Sequence, residues 1–175
     1  DAAEILAKRQ SGRDISFVVR EAVISANNRI LEEGKDKSKS GMGTTFSAIF
    51  FRGDVATMVH LGDSRVYRRR KGKTQRLTED HTWVREAVKV GQLTEAQAEN
   101  HPKSSMLTRA LGMPGDCSPD MDILPLETAD VFLLCSDGLY ACVREDELDS
   151  YMDQDPKSAV SSLIALAKER GAPDN

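Results

Sequence analysis

The sequence predicts an α+β fold in which helices cover antiparallel sheets, and three observations carry that expectation. Apolar residues recur at three- and four-residue steps near both ends of the chain, over 14–33 and again after Pro156. Between those stretches lie short strand-like runs parted by glycine-containing turns. Strands come in blocks and helices in blocks, which argues against a parallel sheet built from alternating units.

The elements follow in order. Over 14–33, Ile15, Val18, Val19, Ala22, Val23, Ala26 and Ile30 fall on one helical face, and Gly34 supplies a stop. DKSKSGMG, 36–43, is a polar loop. TTFSAIFF, 44–51, and VATMVHLG, 55–62, read as two strands of a hairpin around Arg52-Gly53-Asp54, with Thr44 and Thr45 opening a core strand. The tripeptide also occurs in adhesion ligands, but a tight hairpin accounts for it here. SRVYRRR, 64–70, is the next strand, Lys71-Gly72-Lys73 the next turn, and TQRLT, 74–78, completes an antiparallel meander. The basic run RRRKGK, 68–73, reads as a solvated hairpin, because no aromatic residues are interleaved to support nucleic-acid binding.

Residues 82–111 return to helical signals. Gly91 interrupts them, Thr94 and Gln97 have capping-box spacing, and Pro102 breaks the chain again. Few of these residues are strongly apolar, so the stretch is expected to form a small helical subdomain, with Trp83 anchoring it by apolar burial. MDILPL, 121–126, and DVFLLCS, 130–136, read as another strand pair, with Val131 to Cys135 buried on both faces. Asp155-Pro156 opens a last helix whose buried side is Ala159, Val160, Leu163, Ile164, Leu166 and Ala167, ending at Gly171.

The bulk properties exclude several classes. A length of 175 residues suits one domain with a real core. A net charge of −4 gives no general pull toward nucleic acid or an anionic membrane. No apolar run approaches the roughly 18–20 residues of a membrane span. DAAEILAKRQ lacks the pattern of a signal peptide and does not begin with Met, so a processed chain or a fragment is expected. Cys117, Cys135 and Cys142 are odd in number and show no C-x-x-C spacing, as expected of reduced thiols in a cytoplasmic protein. His60, His81 and His101 are too scattered to suggest zinc, and His60 is expected to be packed or hydrogen-bonded in its strand.

Three aspartates draw attention. Asp63 in LGDSR and Asp137 in CSDGL each follow a strand, and Asp174 in GAPDN lies beyond the last helix. Glycines beside the first two allow sharp turns or the close approach of a ligand. Carboxylates gathered in one place repel each other, and a hard divalent cation such as Mg²⁺ or Mn²⁺ offsets that charge with oxygen ligands and retained water. Ordinary turn and capping chemistry accounts for the same residues equally well. GMGTT is set aside as a phosphate loop, because it lacks the Gly-Lys-Ser/Thr ending and precedes a strand.

GMGTT (41–45), HLGDSRVY (60–67), LTEDH (77–81), LTRALG (107–112), CSDGL (135–139) and PDN (173–175) occur in that order. Together they resemble the metal-dependent protein phosphatases of the type 2C class, the small bacterial members in particular, from about residue 14 to the C-terminus. The resemblance implies two antiparallel β-sheets packed as a sandwich with helices on both outer faces, and one phosphatase-like domain over 1–175. Residues 82–111 correspond to the flap beside the active site. It implies hydrolysis of phosphoserine and phosphothreonine in proteins by a water activated between two Mg²⁺ or Mn²⁺ ions, without a phosphoenzyme. Asp137 and Asp174 correspond to ligands of the first metal. Asp63 corresponds to the aspartate that joins Asp137 at a third, weaker site. His81 and His101 fall at flap positions and receive no catalytic role. A monomer acting on the substrates of a serine/threonine kinase is expected.

The resemblance also has gaps. The family begins with a strand carrying an arginine and an acidic residue, then a strand ending in an Asp-Gly-x-Gly-Gly-type motif that supplies the bridging aspartate. Neither is present, and PDN should lead into a final core strand. The domain is therefore expected to be incomplete at both ends. Two readings follow: an excerpt of a longer phosphatase, or a catalytically inactive relative that keeps the scaffold for binding.

Overall fold

A computed structural model describes residues 15–172. The described chain forms two compact units, residues 15–62 with 80–124 and residues 63–79 with 125–172. Each contains one three-stranded antiparallel sheet.

In the first unit, helix α1 (Ile15–Glu33) turns Val18, Val19, Ala22 and Val23 inward, as the apolar spacing predicts. Its end is closed by the Gly34 N–H donating to the Ile30 carbonyl at 2.9 Å. Strands β1 (Phe46–Arg52) and β2 (Val55–Leu61) pair from Phe46↔Leu61 to Arg52↔Val55, leaving Gly53 and Asp54 as a two-residue turn. Val19 and Val23 pack with Val59, Leu61 and Leu111, joined by Ile30, Phe46, Phe50 and Met121. Burying such side chains contributes roughly 1.5–3 kcal/mol each. Thr44 forms only an isolated bridge to Leu111, so the strand begins two residues later than TTFSAIFF suggests.

The 82–111 stretch contains two short helices, α2 (Trp83–Lys89) and α3 (Glu95–Glu99). The expected capping box at Thr94 and Gln97 is formed. Main-chain bonds stitch the segment back on itself, Trp83 N–H to the Met106 carbonyl at 2.8 Å and Thr108 N–H to the His81 carbonyl at 2.9 Å. Trp83 is only half-buried, and its ring packs against His101 and under the Lys103 ammonium instead of sinking into a core.

The second unit holds β3 (Arg65–Arg70), β4 (Lys73–Arg76) and β6 (Val131–Cys135), in the order β4-β3-β6. Lys71 and Gly72, both at positive φ, make the two-residue turn between β3 and β4. One face carries Tyr67, Leu133 and Cys135 onto Val143, Leu148, Met152 and Leu163. Those come from the stretch after β6, which contains α4 (Asp137–Tyr140), α5 (Leu148–Tyr151) and α6 (Pro156–Glu169), with Leu148 on α5, Leu163 on α6, and Val143 and Met152 in the connections. Asp155 caps α6 by accepting from the Lys157 and Ser158 N–H groups, with Pro156 at the first position as expected.

Several sequence expectations are corrected. The four strands β1 to β4 do not form one meander, because the chain leaves the first sheet at Gly62 and starts the second at Arg65. Nor do β5 (Asp120–Pro125) and β6 pair: β5 adds to β2, and β6 adds to β3. In the loop between them Asp130 is held by the β3 residue Arg70 at 2.6 and 2.7 Å, which fastens the start of β6 to β3. Strand β6 is not buried on both faces, since Leu134 is 44% exposed. The doubly buried strand is β2, where Ala56 through Leu61 are all buried. Val160 and Ile164 of α6 are half exposed, so its buried stripe narrows to Ala159, Leu163 and Ala167. The basic hairpin is not simply solvated: Arg69 pairs with Asp153, Arg70 with Asp130 and Lys71 with Glu127.

Candidate metal centre

Two of the three aspartates singled out by sequence meet at one end of one ladder. Strands β3 and β6 pair antiparallel, and their last register pair is Arg65↔Cys135. Asp63 stands two residues before Arg65 and Asp137 two residues after Cys135, so both carboxylates sit just past the same end of the same strand pair. Both are half-buried. Asp174 lies outside the described residues.

The local backbone explains how each is presented. Asp63 follows Gly62, whose φ of +114° disfavours residues with side chains. Asp137 is the first residue of α4, and its Oδ1 accepts the Gly138 N–H at 3.0 Å. That bond leaves further lone pairs on the carboxylate. Next along the face, the Arg65 guanidinium lies 3.7 Å from the centre of the Tyr140 ring. Glu145 accepts from the Tyr67 hydroxyl at 3.3 Å and lies 3.5 Å from Arg65 and from Arg76. Burial pushes the Tyr67 phenol up to about 12, against the lowering pull of Arg65, so it stays protonated.

The donor set suits a hard cation. Mg²⁺ and Mn²⁺ favour oxygen ligands, and Mg²⁺ is commonly held by one or two carboxylates with water completing the shell. No group of three or more potential metal-binding side chains occurs among the described residues. The three cysteines are free thiols.

The histidines have other work. His60 is buried and its Nδ1 is 2.9 Å from the Ser47 hydroxyl, as expected of a packed strand residue. His81, for which the sequence suggested no role, is buried, with both ring nitrogens engaged: Nδ1 accepts the Gly62 N–H at 3.0 Å and Nε2 lies 3.0 Å from an Asp120 carboxylate oxygen. Burial pushes the His81 imidazole below its usual range, opposed by the bond to Asp120. Asp120 is in turn held below the ordinary carboxylate range, where bonds from Arg109 and His81 outweigh its partial burial. His81 and Asp120 are 39 residues apart, and no local spacing announces their pairing.

Comparison with known proteins agrees with this architecture. A family model described as protein phosphatase 2C matches residues 2–171. The protein phosphatase PhpP of Streptococcus pneumoniae is 34% identical over 151 residues, covering 85% of this chain and 61% of that protein. The serine/threonine protein phosphatase PstP of Mycobacterium tuberculosis is 36% identical over 169 residues, 95% of this chain and 32% of that one. Among solved structures, the S. agalactiae serine/threonine phosphatase superposes with a TM-score of 0.89 at 31% identity, over 99% of this chain and 75% of that chain. The catalytic domain of PstP, solved with two manganese ions, gives 0.85 at 31% identity, over 99% and 74%. The chain belongs to the protein phosphatase 2C family. It spans 64% and 61% of the lengths of the S. pyogenes and S. pneumoniae relatives it matches.

Proposed function

We propose that the protein containing this chain is a divalent-metal-dependent serine/threonine phosphatase that hydrolyses phosphoserine and phosphothreonine in proteins. The observation that carries the reading is the shared position of Asp63 and Asp137 at one end of the β3–β6 ladder, in a chain of this family. Asp137 and Asp174 are the proposed ligands of one ion, and Asp63 joins Asp137 at a further site. A bound divalent pair supplies water activation at neutral pH and offsets charge on the phosphoryl oxygens. The chain's own part is to place its carboxylates, with Gly62 setting the turn before Asp63 and the start of α4 presenting Asp137. Overall, the phosphoester and one water become an alcohol and inorganic phosphate.

The proposed organisation is one phosphatase domain with residues 82–111 as its flap. The proposed setting is a cytoplasmic monomer acting on the targets of a serine/threonine kinase, with either Mg²⁺ or Mn²⁺. Among the described residues, no helix is long and apolar enough to cross a membrane.

The test is Asp137→Asn in the full-length protein, assayed on a phosphothreonine peptide with Mn²⁺ and with Mg²⁺. Turnover should fall at least about a hundredfold, as expected when a directly charged group is lost at a reacting centre. Turnover equal to wild type overturns the reading. A second reading, an inactive phosphatase-like binding module, draws on the lack of an Asp-Gly-x-Gly-Gly-type motif in this sequence. It requires that the wild-type protein bind the phosphopeptide without metal-dependent release of phosphate.

A further inference from the structure

One connected set of side chains ends on the backbone immediately before Asp63. His81 engages Gly62 through both of that residue's main-chain polar groups. The His81 main-chain N–H donates to the Gly62 carbonyl at 2.8 Å, and the Gly62 N–H donates to His81 Nδ1 at 3.0 Å. Nδ1 therefore accepts, the proton resides on Nε2, and Nε2–H donates to Asp120 Oδ2 at 3.0 Å. The other Asp120 oxygen accepts from Arg109 Nη1 at 2.9 Å, and that nitrogen also donates to the Ser118 carbonyl at 3.2 Å. Thr45 closes the remaining space: a Cβ on Gly62 would lie 2.4 Å from Thr45 Cγ2. His60 packs on the His81 ring with centroids 4.8 Å apart.

The consequence is covalent. The Gly62–Asp63 peptide is planar, so fixing the Gly62 carbonyl fixes the direction in which the chain reaches the Asp63 Cα. We propose that His81 is a positioning residue for Asp63: braced by Asp120 and Arg109, it sets the Gly62–Asp63 peptide so that the Asp63 carboxylate is presented for divalent-cation binding. The inference rests on the reading of Asp63 as a ligand. Both nitrogens of the His81 ring are taken up by Gly62 and Asp120, so the role assigned to it is one of positioning. Groups that orient metal ligands in this way are typically worth 10–100-fold in metal affinity.

The experiment measures Mn²⁺ binding to the full-length protein by calorimetric titration, together with metal-free melting. The variants are Asp63→Asn, His81→Asn and His81→Gln. An asparagine amide oxygen reaches the position of Nδ1 and keeps the Gly62 bond, whereas a glutamine amide reaches that of Nε2 and abandons it. D63N should abolish the weakest Mn²⁺ step. H81Q should weaken the same step about tenfold while H81N stays within about twofold of wild type, the two variants melting alike. Wild-type affinity in H81Q, or equal weakening in H81N and H81Q, overturns the positioning role while leaving the ligand reading intact. Mn²⁺ binding unchanged in D63N overturns the ligand reading, and the inference with it. Should H81Q fail to melt cooperatively, Asp120→Asn decides, since it keeps the ring and loosens its brace. Weakening of the same step supports the proposal, and unchanged binding overturns it.

Discussion

At the scale of single residues, Gly62 and His81 bear the sharpest constraints. Gly62 combines a φ of +114° with a neighbour that leaves no room for a methyl group. Gly62→Ala should therefore destabilise by about 1–3 kcal/mol from backbone strain alone, with the Thr45 clash adding to it. Chemical denaturation of G62A beside wild type checks this. His81 has a pH signature. Its folded value lies below the ordinary 6.5, because burial penalises the charged ring more than the Asp120 bond favours it. The unfolded chain thus binds the proton first as pH falls. The contribution to stability is complete above about 6.5 and declines as pH drops below it. The melting temperature should hold between pH 8 and 7 and fall toward pH 5, and H81N should flatten that fall. An unchanged slope in H81N would assign the dependence elsewhere. Sequence reasoning singled out Asp63 and Asp137 as candidates because glycine, aspartate and a preceding apolar run are local signals. It gave His81 no role because its partners Gly62 and Asp120 lie 19 and 39 residues away.

At the scale of elements, turn chemistry and capping read well from the chain, while strand partners did not. The Thr94–Gln97 capping box and the Asp155–Pro156 helix start both depend on residues within three positions of each other. The partner of β6 involves residues far apart in the chain, Arg70 among them. The Arg70 guanidinium holds Asp130 at 2.6 and 2.7 Å and also donates to the Pro125 carbonyl at 2.7 Å, tying the chain before β6 to the end of β3. The Asp130 side chain is only 4% exposed, and the Arg70 bonds hold its carboxyl down at about 2 despite the cost of burial. This contribution is present above the ordinary carboxylate value and is lost as pH falls toward 2. Arg70→Met should cost about 1.5–3 kcal/mol, the range for hydrogen bonds to a charged group, and Arg70→Lys should recover only part, lacking the planar fork. Urea titration of both variants at pH 7 measures this. On α6, Leu163→Ala should cost about 2–5 kcal/mol, because Leu163 is enclosed by Tyr67, Val143, Leu148 and Met152.

At the scale of the whole molecule, the two units are interleaved in sequence. The chain passes between them after Gly62, after Glu79 and after Leu124. A residue-by-residue pattern describes a strand but not which sheet receives it, so hairpin neighbours in sequence were wrongly joined into one meander. The proposed metal centre gives a global prediction. Mn²⁺ at 100 times its dissociation constant should stabilise the folded full-length protein by about 2.7 kcal/mol per site, since the unfolded chain has no assembled site. Melting with and without chelator checks it. The gain should shrink in D137N, and an identical gain in D137N would separate Mn²⁺ binding from Asp137.

By itself the sequence determined the helices, the tight turns, the α+β class and the family, because these rest on periodicity, on backbone preferences and on short ordered motifs. The tertiary structure alone decided that β5 and β6 part company, that β2 is the doubly buried strand, and that His81 clasps Gly62. Those outcomes depend on contacts between groups far apart in the chain, where each partner is chosen by packing and hydrogen-bond satisfaction and no local spacing records the choice.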